Sequence, residues 1–197
     1  MTGTSIIVVG ASWGGLVALG RLIGGLPVDL EVPVAVVQHR SRHADNLLAG
    51  LLQEVTMLKV VDVEDKEPLL PRSIYIAPAN YHLLVDDGHF SLSTEAMVRF
   101  SRPSIDVTFI SAADTYPGST IGVILTGAND DGARGLRHIV DRGGRAVVQD
   151  PTTAESPMMP NAAQLAVPEA DVVPLDGIAQ HLMKMIASAP VNPARAM

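Results

Sequence analysis

The sequence predicts an α/β fold: a doubly wound, mostly parallel sheet with helices on both faces and an antiparallel hairpin near the edge. Three observations predict it. Short β-branched runs alternate with helical patterns along nearly the whole chain, as in successive βαβ units. The runs Val34-Ala35-Val36-Val37 and Gly122-Val123-Ile124-Leu125-Thr126 hardly alternate between apolar and polar residues, as strands buried on both faces should. A glycine-flanked turn, Gly10-Ala11-Ser12-Trp13-Gly14, joins the first apolar run to the first helical pattern.

Taken in order, the strand patterns are 5–9, 32–38, 73–77, 121–126, 145–149 and 171–175. Between and after them, helical patterns run over 16–26, 44–55, 105–116, 133–142, 161–167 and 178–187. One stretch departs from the alternation. His82-Leu83-Leu84-Val85 and His89-Phe90-Ser91-Leu92 flank Asp86-Asp87-Gly88, and an Asp-Gly turn between short apolar runs reads as a β-hairpin. No repeat or internal boundary interrupts the pattern, so residues 1–188 read as one domain. The tail 189–197 carries Pro190 and Pro193 and reads as frayed.

The composition supports a well-buried domain. Of 197 residues, 47% are hydrophobic and 18% charged, enough for a substantial core. Aromatic residues make up only 4%, so the core falls to Val, Ile, Leu, Ala and Met. The absence of cysteine excludes a disulfide framework, a thiol nucleophile and cysteine-ligated zinc. The net charge of −7 argues against nucleic acid, whose phosphates need a basic face. No apolar stretch approaches the roughly 18 residues of a membrane span. No basic-then-apolar leader opens the chain. A cytoplasmic protein without cofactor or metal is the expectation.

Ligands bind outside the carboxyl ends of the strands in open parallel sheets. Three polar residues or pairs stand there: Ser12 after the first strand, His39 after the second, and Asp130-Asp131 in the turn after Gly122–Thr126. A hydroxyl, an imidazole and a carboxylate are the parts of a hydrolytic triad. Each has a plainer role too. The histidine can be a hydrogen-bonded structural residue, either aspartate can cap the helix near Ala133, and the glycines can serve the turn alone. Rival motifs fit poorly. A dinucleotide fingerprint would need a glycine at Ser12 and an acidic residue at His39. No P-loop pattern occurs. An α/β-hydrolase would place its nucleophile later and order its triad Ser, Asp, His.

The sequence resembles the catalytic domain of the chemotaxis protein-glutamate methylesterases, the CheB type. The matching stretches are Gly10-Ala11-Ser12-x-Gly14-Gly15, Val37-Gln38-His39, Tyr75-Ile76-Ala77-Pro78 followed by His82, and Arg102-Pro103-Ser104-Ile105-Asp106. Further on come Gly122–Gly127, Asp131-Gly132-Ala133-x-Gly135-Leu136, Gln149-Asp150 and Met159-Pro160. They follow the family's order over roughly residues 5 to 187. The resemblance implies hydrolysis of γ-glutamyl methyl esters on chemoreceptor signalling helices, with methanol released, and for some members deamidation of receptor glutamines. It assigns the nucleophile to Ser12, the base to His39 and the third role to Asp131 rather than Asp130. Backbone N–H groups at Trp13 and Ala128 would hold the oxyanion.

Three departures stand out. Trp13 replaces the usual threonine and puts an indole at the mouth. Ala128-Asn129 replaces a Met-Gly pair; asparagine is tolerated there if the backbone has positive φ. No receiver domain precedes the first strand, so the expectation is an esterase unregulated by that route or regulated by a partner in trans. These departures leave two alternatives: the same machinery acting on another ester or amide, or an inactive module that binds a receptor or signalling partner. The remaining candidates read as structural. His82 lines the cleft or is a satisfied loop histidine. Arg102 orients an acidic substrate or is a solvated or capping residue. Met158 and Met159 fill space near the site, Asp106 complements a helix dipole, and Met183, Lys184 and Met185 lie on an amphipathic terminal helix.

Overall fold

The computed structural model describes residues 5–40 and 47–188. Seven parallel strands form one sheet in the order β3-β4-β2-β1-β7-β8-β9. They are β1 (Ile6–Ala11), β2 (Val34–Gln38), β3 (Lys59–Asp62), β4 (Ser73–Ile76), β7 (Thr120–Ile124), β8 (Arg145–Gln149) and β9 (Asp171–Val173). The hairpin, β5 (His82–Asp86) and β6 (His89–Ser93), is a two-stranded sheet of its own. It packs on α3 (Ile105–Thr115) and bonds through the Phe90 backbone to Lys66 and Glu67 in the loop that follows β3, while the Phe90 ring meets Tyr75 of β4.

Residue alternation on the strands sorts the core into two layers, because successive side chains point to opposite faces. Ile7, Val9 and Ala11 meet α1 (Gly15–Gly24), α2 (Leu47–Gln53) and α6 (Ile178–Ser188). Ile6 and Val8 meet α3, α4 (Ala133–Asp141), α5 (Met158–Ala166) and the hairpin. Both faces of β1 are therefore dry, and all six of its residues are buried.

The predicted elements recur with shifted ends. The strand β3 was not predicted: Lys59-Val60-Val61-Asp62 is an edge strand of four residues, too short to stand out as an apolar run. Helix α5 begins at Met158, three residues before the predicted start, and Pro160 lies inside its first turn. Proline is tolerated there because a first-turn N–H has no helical acceptor to lose. Of the helix predicted at 44–55, positions 44–46 lie outside the described residues. The last strand ends at Val173, where Pro174 precedes a 3₁₀ turn at Leu175–Gly177. The terminal helix buries Met185 and exposes Lys184, as an amphipathic helix should.

The strand order puts the site where the chain reverses its direction of winding. Strands β2 and β7 lie on opposite sides of β1, and such switch points open a crevice at the carboxyl ends of the strands. Pairing continues past the strands there. His39 N–H donates to Ala11 O at 3.0 Å, and Ser12 N–H to Thr126 O at 3.0 Å. Ser12, His39 and Thr126 thus leave the sheet at one level.

Candidate active site

The turn bearing Ser12 is clamped on several sides. Its carbonyl accepts from Gly15 N–H at 2.9 Å and from the Gln38 side-chain amide at 2.8 Å. Thr126 Oγ1 donates to Trp13 O at 2.9 Å and accepts from Ser156 N–H at 2.8 Å. Gly14 takes φ 76°, a left-handed conformation that suits glycine and starts α1. Trp13 is 66% exposed. It lines an open cavity of about 390 Å³ with Ser12, His39, Gln38, Ala128, Leu16 and Val17.

The N–H groups around Ser12 divide into two sets. Those of Ser12 and Gly127 are spent on Thr126 O and Ser156 O. Those of Trp13 and Ala128 carry no hydrogen bond among the described residues. Gly127 is also a close-approach position: a β-carbon there would lie 1.9 Å from Met159 Sδ and 2.9 Å from Ser12 Cβ. Met159 is buried beneath the turn, whereas Met158 is exposed.

His39 Nε2 lies 2.8 Å from Asp131 Oδ2. Asp131 is 2% exposed, and its two oxygens also accept from Ser104 Oγ (3.0 Å), Ile105 N–H (2.7 Å) and Asp106 N–H (3.1 Å). These donors open α3, so the carboxylate serves as the helix's anionic cap as well as the partner of His39. Burial pushes the Asp131 carboxyl up, but the hydrogen bonds from His39, Asp106 and Ile105 outweigh it and hold the group below its ordinary value.

Asp106 returns the favour to α4. Its Oδ1 accepts from Gly132 N–H at 3.1 Å and Gly135 N–H at 2.7 Å. Asp106 is more than the early-helix charge its position suggests: it is completely buried and caps the neighbouring helix. Its Oδ2 has no hydrogen bond, and Arg134 Nε stands 3.5 Å away. Burial pushes its pKa up, the Gly135 hydrogen bond opposes this, and the nearby Asp131 charge adds to the rise.

The other sequence candidates sort themselves. Asp130 is exposed and ion-paired with Arg99, not with His39. His82 is 2% exposed, with Nδ1 accepting from Ser104 N–H at 3.3 Å and Nε2 donating to Ala96 O at 3.1 Å. It does not reach the cleft; it supports Ser104, which bonds Asp131. Arg102 is half-buried and caps no helix. It ties its loop together through Asn80 Oδ1 and the carbonyls of Thr94 and Glu95. Asn129 does not adopt the positive φ expected for a glycine replacement. Its side-chain Nδ2 instead lies 3.1 Å from His39 Nδ1. Both ring nitrogens of His39 are therefore engaged, and among the described residues no hydrogen bond holds Ser12 Oγ. Sequence reasoning missed the clamps Gln38 and Thr126, whose side chains hold the carbonyls of Ser12 and Trp13, and Ser104, whose hydroxyl donates to Asp131, since no spacing reveals such contacts.

The fold and the site define a class: an open parallel α/β sheet carrying serine, histidine and aspartate at the switch point. A model of the CheB methylesterase family matches residues 7–182, and the chain belongs to that family. A Leptospira interrogans protein named for protein-glutamate methylesterase and protein-glutamine glutaminase is 43% identical over 180 residues, 91% of this chain and 93% of that one. Protein-glutamate methylesterase FrzG of Myxococcus xanthus is 36% identical over 182 residues, which are 92% of this chain and 54% of its own. The crystal structure of the Thermotoga maritima CheB methylesterase catalytic domain superposes with a TM-score of 0.87 at 33% identity, covering 95% of this chain and all of that one.

Proposed function

We propose that this protein is a serine hydrolase that removes methyl groups from glutamate γ-methyl esters of chemoreceptors, with deamidation of receptor glutamines as a second activity. The observation that carries the reading is the 2.8 Å contact between the buried Asp131 and His39, which lines one groove with Ser12. Family membership supplies the reaction class. We place the reaction in the cytoplasm; no helix among the described residues is long and apolar enough to cross a membrane.

The proposed chemistry follows from the hydrogen bonds. Asp131 occupies Nε2, so Nδ1 of His39 is the nitrogen that takes the Ser12 proton. Ser12 Oγ attacks the ester carbonyl, and the oxyanion forms beside the N–H groups of Trp13 and Ala128. The C–O bond to the methoxy group breaks, and methanol leaves with the proton from His39. Water then attacks the glutamyl-enzyme, gives its proton to His39, and returns Ser12 as the free hydroxyl. Asp131 stabilises the imidazolium in each step. With a glutamine substrate, ammonia leaves in place of methanol.

The test is methanol release from a methylated receptor signalling domain, with Ser12→Ala alongside. Release that disappears in the variant supports the reading. Turnover of small activated esters without release from receptor would point to another ester or amide as the substrate.

A further inference from the structure

We propose that Asn129 is a positioning residue that gates the base: in the free protein it holds the His39 lone pair that Ser12 needs. The proposal rests on the reading of Ser12 and His39 given above. The orientation of the Asn129 amide is fixed from its far end. Asp131 N–H donates to Asn129 Oδ1 at 3.1 Å, so the donor end, Nδ2, faces His39 Nδ1 at 3.1 Å. An amide NH₂ only donates. Nδ1 is therefore an acceptor, and the ring proton sits on Nε2, directed at Asp131.

This arrangement does two things to the base. It fixes the tautomer from both sides, with the lone pair at Nδ1 as deprotonation of Ser12 requires. It also occupies that lone pair. A neutral imidazole nitrogen offers one acceptor site, so the Ser12 hydroxyl and the Asn129 amide compete for it. Asn129 has the site in this structure, and Ser12 Oγ has no hydrogen bond among the described residues. The backbone gives no reason for asparagine here, since Asn129 is not left-handed. Its side chain is what the position uses. Opening the gate exchanges one hydrogen bond for another: Nδ2–H releases Nδ1, and Oγ–H takes its place.

Labelling by a serine-directed fluorophosphonate reads the gate without receptor substrate. Asn129→Ala frees Nδ1 and is expected to label Ser12 about two- to tenfold faster than wild type, the rate equivalent of one neutral hydrogen bond. Asn129→Asp keeps the acceptor for Asp131 N–H but replaces the donor with a carboxylate, which draws a proton onto Nδ1. Labelling at neutral pH should slow, and the acid limb of its pH profile should move to higher pH. The charged groups around the ring include Asp131 at Nε2, Asp106 behind Asp131, Asp130 on the same turn with Arg99 reaching it from another loop, and Arg40, the residue after His39, beside Asp62; neither substitution removes them.

Nitrogen NMR of labelled histidine in the wild-type protein gives the second readout, independent of folding in any variant. The gate requires Nδ1 of His39 to be an unprotonated acceptor and Nε2 to carry the proton. A proton on Nδ1 in the neutral ring overturns the proposal. So does an Asn129→Ala protein that labels no faster than wild type. A wild-type protein that does not label at Ser12 at all overturns the nucleophile assignment instead, and the NMR result still decides the hydrogen bond.

Discussion

Replacing Asp131 separates its two duties, because its hydrogen bonds divide unevenly between its oxygens. Oδ2 takes His39 Nε2 and Ile105 N–H, and Oδ1 takes Ser104 Oγ and Asp106 N–H. In Asp131→Asn one oxygen becomes a donor. If that donor sits in the Oδ2 position it opposes both Ile105 N–H and the proton on His39. If it sits in the Oδ1 position, the Ser104 hydroxyl can rotate to accept, and only Asp106 N–H is opposed. The second orientation wins, so one buried N–H loses its acceptor. That costs about 1–3 kcal/mol, a substantial part of the 5–15 kcal/mol typical of a domain's stability. Asp131→Ala strands every donor and should cost about 3–5 kcal/mol. Because Asp131 is held below its ordinary value, its stabilisation is complete above the ordinary carboxylate value of about 3.9 and is lost as pH falls through the lower folded value. The gap between wild type and Asp131→Asn therefore narrows in acid. Turnover should fall by about 10²–10⁴ in both variants, since the imidazolium loses its counter-charge. Urea unfolding across pH, with ester hydrolysis on the same samples, measures both quantities. Wild-type stability and turnover in Asp131→Asn would refute the reasoning.

Three further predictions follow from single contacts. Gly127→Ala drives a methyl into Met159 and toward Ser12 Cβ; it should cost about 1–3 kcal/mol in urea unfolding, and adding Met159→Ala should recover part of that loss. Asp106→Asn keeps the acceptor for Gly132 and Gly135 N–H and removes a buried charge. The raised Asp106 value makes wild-type stability fall as pH rises from the ordinary carboxylate value to the raised one, and unfolding midpoints of the variant should lack that fall. Trp13→Ala trims an exposed side chain, so stability should stay within about 0.5 kcal/mol. Steady-state kinetics should show a higher KM for receptor substrate, with kcat on a small activated ester within about twofold of wild type.

What the sequence reveals of this molecule follows from what local pattern can carry. Dry strands such as β1 and β7 announce themselves as apolar runs because both faces are covered. Edge strand β3 does not, since Lys59 is exposed and the other three residues are only partly buried. The places of Ser12 and His39 at the ends of β1 and β2 are legible because strand ends and glycine turns leave marks at fixed positions. Asp131 could be told from Asp130 only by resemblance; in space the two differ sharply, one buried at the start of α3 and the other exposed beside Arg99. Asp106 and Asp131 cap each other's helices from 25 residues apart in sequence, as the contact between Asp106 N–H and Asp131 shows. Such reciprocal capping depends on how α3 and α4 pack, which spacing alone does not encode. Asn129 was noticed for its backbone and matters for its side chain, because the contact it makes crosses from the β7 turn to the end of β2.

The most direct test of the central claim, that Ser12 is the nucleophile of this site, is an acylation burst with p-nitrophenyl acetate followed by peptide mapping of the quenched protein. The account predicts a burst stoichiometric with protein, an acetyl group on Ser12, and neither in Ser12→Ala. An acetyl group on another residue, or an undiminished burst in Ser12→Ala, would contradict it.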